Sequence, residues 1–315
     1  MIIWGVGLFA SLFISASAFA ERQSCGQLKE PSGVVQLLDG RVLIVEDEKK
    51  IPFRLLSLNQ ERVTSVNALK TAQTLADLEA VDIDENGFIY AITSHSLTSK
   101  AKRSTSREKL VRFKVQGNQI INLKVMPNLK KAMTSLTKSL KKSSKVSDVK
   151  GRNGFNIEGL TFDKHKQSLL IGLRSPVIEQ QAVLLVLKNP KAIFEQGESP
   201  KFKKRPIYLD LDKGGIRSIA FDPQLNGYLI ISRQEKKNKP FKLWFWNGDE
   251  NHAARRVRLK GDLDLSNAEG ITAIRDKGVK KLLLVFDVGN PSKRKNGCYA
   301  FLPYDALSIS GTKQK

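Results

Sequence analysis

Three glutamates and an arginine hold equivalent places in a repeated phrase of this sequence. Ser32, Glu79, Glu158, Arg217 and Glu269 each open an apolar, strand-like run, and they follow one another at intervals of 47, 79, 59 and 52 residues. Asp77, Asn156 and Asn267 stand two residues before the three glutamates, on the same side of an extended chain by its period of two. Carboxylates gathered around one axis repel, and buried charge is costly unless matched. Arg217 offsets one of the three charges, and a divalent cation would balance the remainder. An oxygen-only set of Glu79, Glu158, Glu269, Asn156 and Asn267 suits calcium or magnesium rather than zinc. The competing arrangement is an arginine–glutamate plug in which Arg217 repels any cation and only ties the repeats together.

A second set lies where the following strand of each repeat ends: Asp47, His95, Arg174, Arg233 and Asp287, flanked by Ser94, Ser96, Ser175 and Ser232. Guanidinium groups and hydroxyls facing one opening can grip a phosphate or carboxylate. That chemistry assigns Asp47, Ser96, Arg174, Ser175, Arg217, Arg233 and Asp287 to ligand binding. His95 is the candidate catalytic general acid–base group, because an unperturbed imidazole titrates near neutrality. No GxSxG or other nucleophile signature accompanies it. With three histidines, two cysteines and no CxxC, the chain offers no zinc site.

The elements that must position these residues are short strands. Asp39-Gly40, Glu85-Asn86-Gly87 and Gln116-Gly117-Asn118 separate apolar runs and read as hairpin turns. Asp84, Asp163 and Asp222 close first strands and suit turns stabilised by their side chains. Each unit reads strand–turn–strand–loop–strand, often with a fourth strand. Repeats of this length built from short strands predict an all-β fold, a β-propeller. Five blades is the literal count, with six if one blade is degenerate. Leu129, Met133, Leu136 and Leu140 fall at helical spacing amid lysines, predicting one amphipathic helix over 129–143 on the rim.

Residues 2–13 are almost wholly apolar and Ala18-Phe19-Ala20 precedes Glu21, which reads as a secretory signal peptide over 1–20. The remainder, 21–315, is then a single propeller domain in the periplasm or outside the cell. No later stretch is long and apolar enough to span a bilayer. In an oxidising compartment Cys25 and Cys298 form a natural disulfide pair. If residues 22–28 supply the outer strand of the last blade, that bridge clasps the ring and covers edges that would otherwise be open. A net charge of +22 favours anionic partners, small molecule or polymer. No basic helix or RNA-binding signature concentrates it.

The phrases DLEAVDIDENGFIYAITSHS (77–96), GFNIEGLTFD…LLIGLRSP (154–176), GIRSIAFD…YLIIS (215–232) and AEGIT (268–272) resemble the bacterial family called domain of unknown function 3616. The resemblance implies a propeller-like fold and no established activity. The Glu-Gly openings also look like those of phytase-like and gluconolactonase-like propellers, which implies a divalent metal in the central channel. Three functions are therefore expected: binding of an anionic ligand at the channel mouth, calcium- or magnesium-dependent hydrolysis of a phosphoester or lactone, or scaffolding of protein partners through the rim helix and lysine loops.

Overall fold

The glycines that mark the hairpins take the backbone conformation those turns need: φ is +86° at Gly40, +77° at Gly87 and +56° at Gly117. They join strands in a computed structural model that describes residues 20–47, 51–146, 153–235, 239–288 and 297–311. The expected leader, 1–20, lies outside the described residues except for its last position. No helix among the described residues is long and apolar enough to cross a membrane.

The strands form five antiparallel sheets. A two-residue strand, β1 (Gln23–Ser24), comes first. Blade 1 is β2 (Pro31–Gln36), β3 (Val42–Glu46), β4 (Phe53–Asn59) and β5 (Arg62–Leu69). Blade 2 is β6 (Leu78–Ile83), β7 (Ile89–Thr93), β8 (Lys109–Gln116) and β9 (Gln119–Pro127). Blade 3 is β10 (Asn156–Asp163), β11 (Ser168–Ser175), β12 (Ala182–Leu187) and β13 (Ile207–Leu209). Blade 4 begins with β14 (Gly215–Asp222), β15 (Gly227–Arg233), β16 (Lys242–Trp246) and β17 (Arg255–Leu259). Blade 5 has β18 (Ala268–Asp276), β19 (Val279–Phe286) and β20 (Cys298–Leu302), with β1 as its outermost strand. The C-terminal β21 (Leu307–Ile309) returns to add a fifth strand to blade 4, a pairing the repeat pattern did not announce.

The inner strands close a ring: β2 meets β6, β6 meets β10, β10 meets β14, β14 meets β18, and β18 meets β2. Alternating side chains of neighbouring blades bury five apolar clusters between them. Buried polar groups tie most of these junctions. Asp82 accepts from Thr161 Oγ1 at 2.8 Å and from Phe162 N at 2.6 Å. Thr161 Oγ1 in turn accepts from Phe221 N at 3.1 Å, and Ser218 Oγ accepts from Ile271 N at 3.2 Å. Gln36 exchanges two hydrogen bonds with the backbone of Arg275, joining blades 5 and 1. The recurring Asp84, Asp163 and Asp222 each accept two backbone N–H groups of their own turn.

Two expectations are corrected. The rim helix is broken into α1 (Leu129–Thr134) and α2 (Lys138–Ser143), because Thr137 takes an extended conformation and its hydroxyl caps Leu140 N at 3.2 Å. Leu129, Met133 and Leu140 are buried in the cluster between blades 2 and 3, and half-buried Leu136 packs against it. A third helix, α3 (Pro190–Gln196), begins on a proline and lies on the same cluster through Ile193 and Phe194.

The second correction concerns the cysteines, which remain thiols. The clasp is a backbone one: Ser24 pairs with Cys298, Gln23 with Tyr299, and Cys25 N donates to Gly297 O at 3.0 Å. This register offsets the two cysteines by one residue, and adjacent positions point to opposite faces of a sheet. Cys25 is buried in the cluster between blades 5 and 1, whereas Cys298 packs on the cluster between blades 4 and 5.

Candidate functional site

The repeated opening residues share a structural cause. In all five blades the ladder between the first two strands skips one inner-strand residue, and the skipped residues are Ser32, Glu79, Glu158, Arg217 and Glu269. A β-bulge leaves its extra residue unpaired and re-aims its side chain. Five bulges at one level turn these five side chains into the channel. They line a cavity of ≈ 210 Å³ together with Asp47, Asp77, Asn156, Arg174 and Asp287. Glu30, Ser96 and Arg107 complete the lining.

Within this cavity the arginine–glutamate plug is formed. Arg217, buried, lies 2.8 Å through Nη1 from Glu158 Oε2, and it donates through Nε to Glu269 Oε2 at 3.0 Å. Arg174 donates to Glu158 Oε1 at 2.8 Å and grips Glu235 with two further bonds, at 2.6 and 3.2 Å. The result is a continuous chain Glu269–Arg217–Glu158–Arg174–Glu235. Arg107 pairs with Asp77, which also accepts from Ser96 Oγ at 3.1 Å.

Among the described residues, each of the three guanidiniums lining the cavity is thus committed to a carboxylate. Glu79 and Asp47 have no ion pair among the described residues. Removal from water, with Asp77, Glu158, Asp47 and Glu269 nearby, holds the Glu79 carboxyl well above its ordinary value. Desolvation at the mouth, with Asp77 and Glu30 beside it, pushes Asp47 up to about 7. Burial raises Glu158 to about 7 despite its two arginines. Asn156 Oδ1 is buried, lines the cavity and has no hydrogen-bond partner among the described residues.

The remaining sequence candidates fall elsewhere. The ladder places Thr93 opposite Leu78 and Leu173 opposite Ile157, so Ser94 is the counterpart of Arg174 and His95 that of Ser175. That one-residue difference carries His95 behind the cavity wall. It is fully buried, with φ +55°, Nδ1 2.8 Å from Thr93 O and Nε2 without a partner among the described residues. Burial lowers its pKa to about 4, and it is absent from the cavity lining. Ser175 is likewise buried away from the lining. Arg233 lies outside the cavity, its guanidinium 5.1 Å from the Phe241 ring centre, and Asn267 does not reach the lining.

The expected calcium or magnesium set does not fit these placements. Arg217 stands between Glu158 and Glu269, Asn267 is elsewhere, and among the described residues no three His, Cys, Asp or Glu side chains converge on one point. Sequence reasoning missed Glu30, Arg107 and Glu235. All three come from connecting segments that do not repeat, so no periodic signal marked them.

A sequence profile for a family described as a protein of unknown function (DUF3616) matches residues 124–301, more than half of the chain. The chain belongs to this family. The match runs from β9 through blades 3 and 4 into blade 5, and so includes the Glu158, Arg217 and Glu269 bulges. No curated protein matches the sequence. Among solved structures, a GH43 β-1,3-galactosidase is similar at a TM-score of 0.50 and 10% identity, covering 93% of this chain and 99% of that one. A Thermus thermophilus protein described as an oxidoreductase (glucose dehydrogenase) gives a TM-score of 0.47 and 13% identity over 90% and 100% of the two chains. A protein described as a gluconolactonase gives 0.42 and 10% over 94% and 95%. At these identities the likeness is one of fold alone.

Proposed function

We propose that this DUF3616 propeller is an exported binding protein whose channel mouth takes a cationic organic group, an ammonium or guanidinium. The observation that carries this reading is the pairing pattern of the cavity: Asp77, Glu158 and Glu269 already hold its three arginines, while Glu79 and Asp47 have no ion pair among the described residues. An anion entering the mouth would have to displace Glu158, Glu269 or Asp77 from an arginine and then face the rest of the acidic wall. A guanidinium or ammonium instead meets Glu79, Asp47 and the open acceptor Asn156 Oδ1, and each of its N–H groups can find an oxygen. The spread-out acceptors suit a multi-donor organic cation better than a metal ion, which needs ligands converging at about 2.0–2.6 Å. The leader-like residues 1–20 support an envelope location.

The test is a thermal-shift and calorimetric comparison of agmatine and putrescine with phosphate and citrate on the mature chain. The diamines are expected to bind and raise Tm, and Glu79→Gln is expected to weaken that binding. Saturable binding of phosphate or citrate at the mouth, with no response to either amine, would overturn the reading.

A further inference from the structure

At the opposite end of the strands from the acidic mouth, blades 3 and 4 part to leave a cleft of ≈ 320 Å³. Its walls are the apolar side chains of Leu170, Val186 and Ile207 on one blade and the rings of Tyr228 and Trp246 on the other. The two rings lie against each other with centroids 5.4 Å apart and a tilt of 32°. Three lysines stand at the edge. Lys166 is 3.8 Å from Asp163 and Lys203 pairs with Glu250, but Lys188 is exposed and pairs with no carboxylate among the described residues. Ser168, also in the lining, is 2% exposed, and its Oγ has no partner among the described residues. An apolar concavity of this size, with few polar groups and an open hydroxyl, has the makeup of a small-molecule site. A buried hydroxyl without a partner is an unmet hydrogen bond.

We propose that this cleft is a second ligand site, for a small amphipathic anion with a flat, aromatic body. The body would lie between the aliphatic wall and the Tyr228–Trp246 pair, where aromatic surface packs best on aromatic surface. The anionic group would meet Lys188 at the edge. The site is independent of the channel mouth and has the opposite charge preference. It is here, rather than at the mouth, that the basic character of the chain meets an enclosed apolar volume.

The test uses 8-anilinonaphthalene-1-sulfonate on the native mature chain, with the uncharged N-phenyl-1-naphthylamine as its control. One equivalent of the sulfonate is expected to bind with a fluorescence increase. Lys188→Glu should weaken that binding about fivefold or more without changing Tm, since it turns one screened attraction into a repulsion. Val186→Trp should abolish it by filling the cleft, and Lys188→Glu decides the matter alone if that variant fails to fold. A co-crystal structure should place the ring system against Tyr228 and Trp246. Sulfonate binding unaffected by Lys188→Glu, absence of binding, or equal affinity for the neutral control would overturn the proposal.

Discussion

Arg217 Nη1 lies 2.8 Å from Glu158 Oε2, and both residues are β-bulge positions of neighbouring blades, buried in the channel. Their pairing turns a repulsive ring of glutamates into a structural core. Removing one member of a buried pair leaves the other charge unmatched, which typically costs about 3–5 kcal/mol. Arg217→Met is therefore expected to lower Tm by roughly 5 °C or more. The double variant Arg217→Met with Glu158→Gln should recover much of that loss, as read by thermal denaturation. A single variant as stable as the wild type would show that the pair holds nothing together.

Glu79 faces the same channel without an arginine of its own. Its carboxyl is raised in the folded state, so the folded protein holds a proton that the unfolded chain releases at lower pH. Its contribution to stability is therefore present at low pH and lost as pH rises through the folded value. Asp47 and Glu158, both near 7, act in the same direction. These three groups should lower Tm as pH rises from 5 to 7, and Glu79→Gln should raise Tm at pH 7 more than at pH 5. An equal effect at both values would contradict the raised carboxyl.

His95 has the opposite sign. Its pKa is about 4 in the fold against an ordinary 6.5, so the unfolded chain takes up a proton that the buried ring refuses. The stability tied to this difference is complete above pH 6.5 and drains away as pH falls towards 4, in total on the order of 3 kcal/mol. The Tm of His95→Gln relative to the wild type should accordingly rise as pH falls from 6.5 to 4.5. Parallel curves would mean that His95 is not held neutral.

The recurrence at Ser32, Glu79, Glu158, Arg217 and Glu269 was legible because each blade needs the same bulge in the same place, and a repeated local geometry leaves a repeated letter. The blade count and the hairpin turns were legible for a similar reason, since Gly40 and Gly87 need positive φ. His95 was misplaced because the ladder register beyond the bulge decides which of three successive residues faces the channel, and sequence spacing carries no record of that choice. Arg107 and Glu235 enter from loops, where nothing repeats. The unpaired carboxyls at the mouth were hidden by composition: in a chain of net charge +22, Glu79 and Asp47 line the channel without an ion pair among the described residues.

The clasp gives a chemical prediction. With Cys25 and Cys298 on opposite faces of blade 5, the protein unfolded without reductant should show two reactive thiols. Labelling with iodoacetamide followed by mass measurement reads this directly. Recovery of unlabelled, bridged peptides would restore the disulfide.

The most direct measurement of the central claim is the proton balance of ligand binding at the mouth. Agmatine is titrated calorimetrically near pH 7 in two buffers of different ionisation enthalpy. A cation entering beside Glu79, Asp47 and Glu158 must favour their ionised forms, so the account predicts net proton release and an affinity that rises from pH 6 to pH 8. Proton uptake, or an affinity that rises as pH falls, is the signature of an anion site and would contradict it.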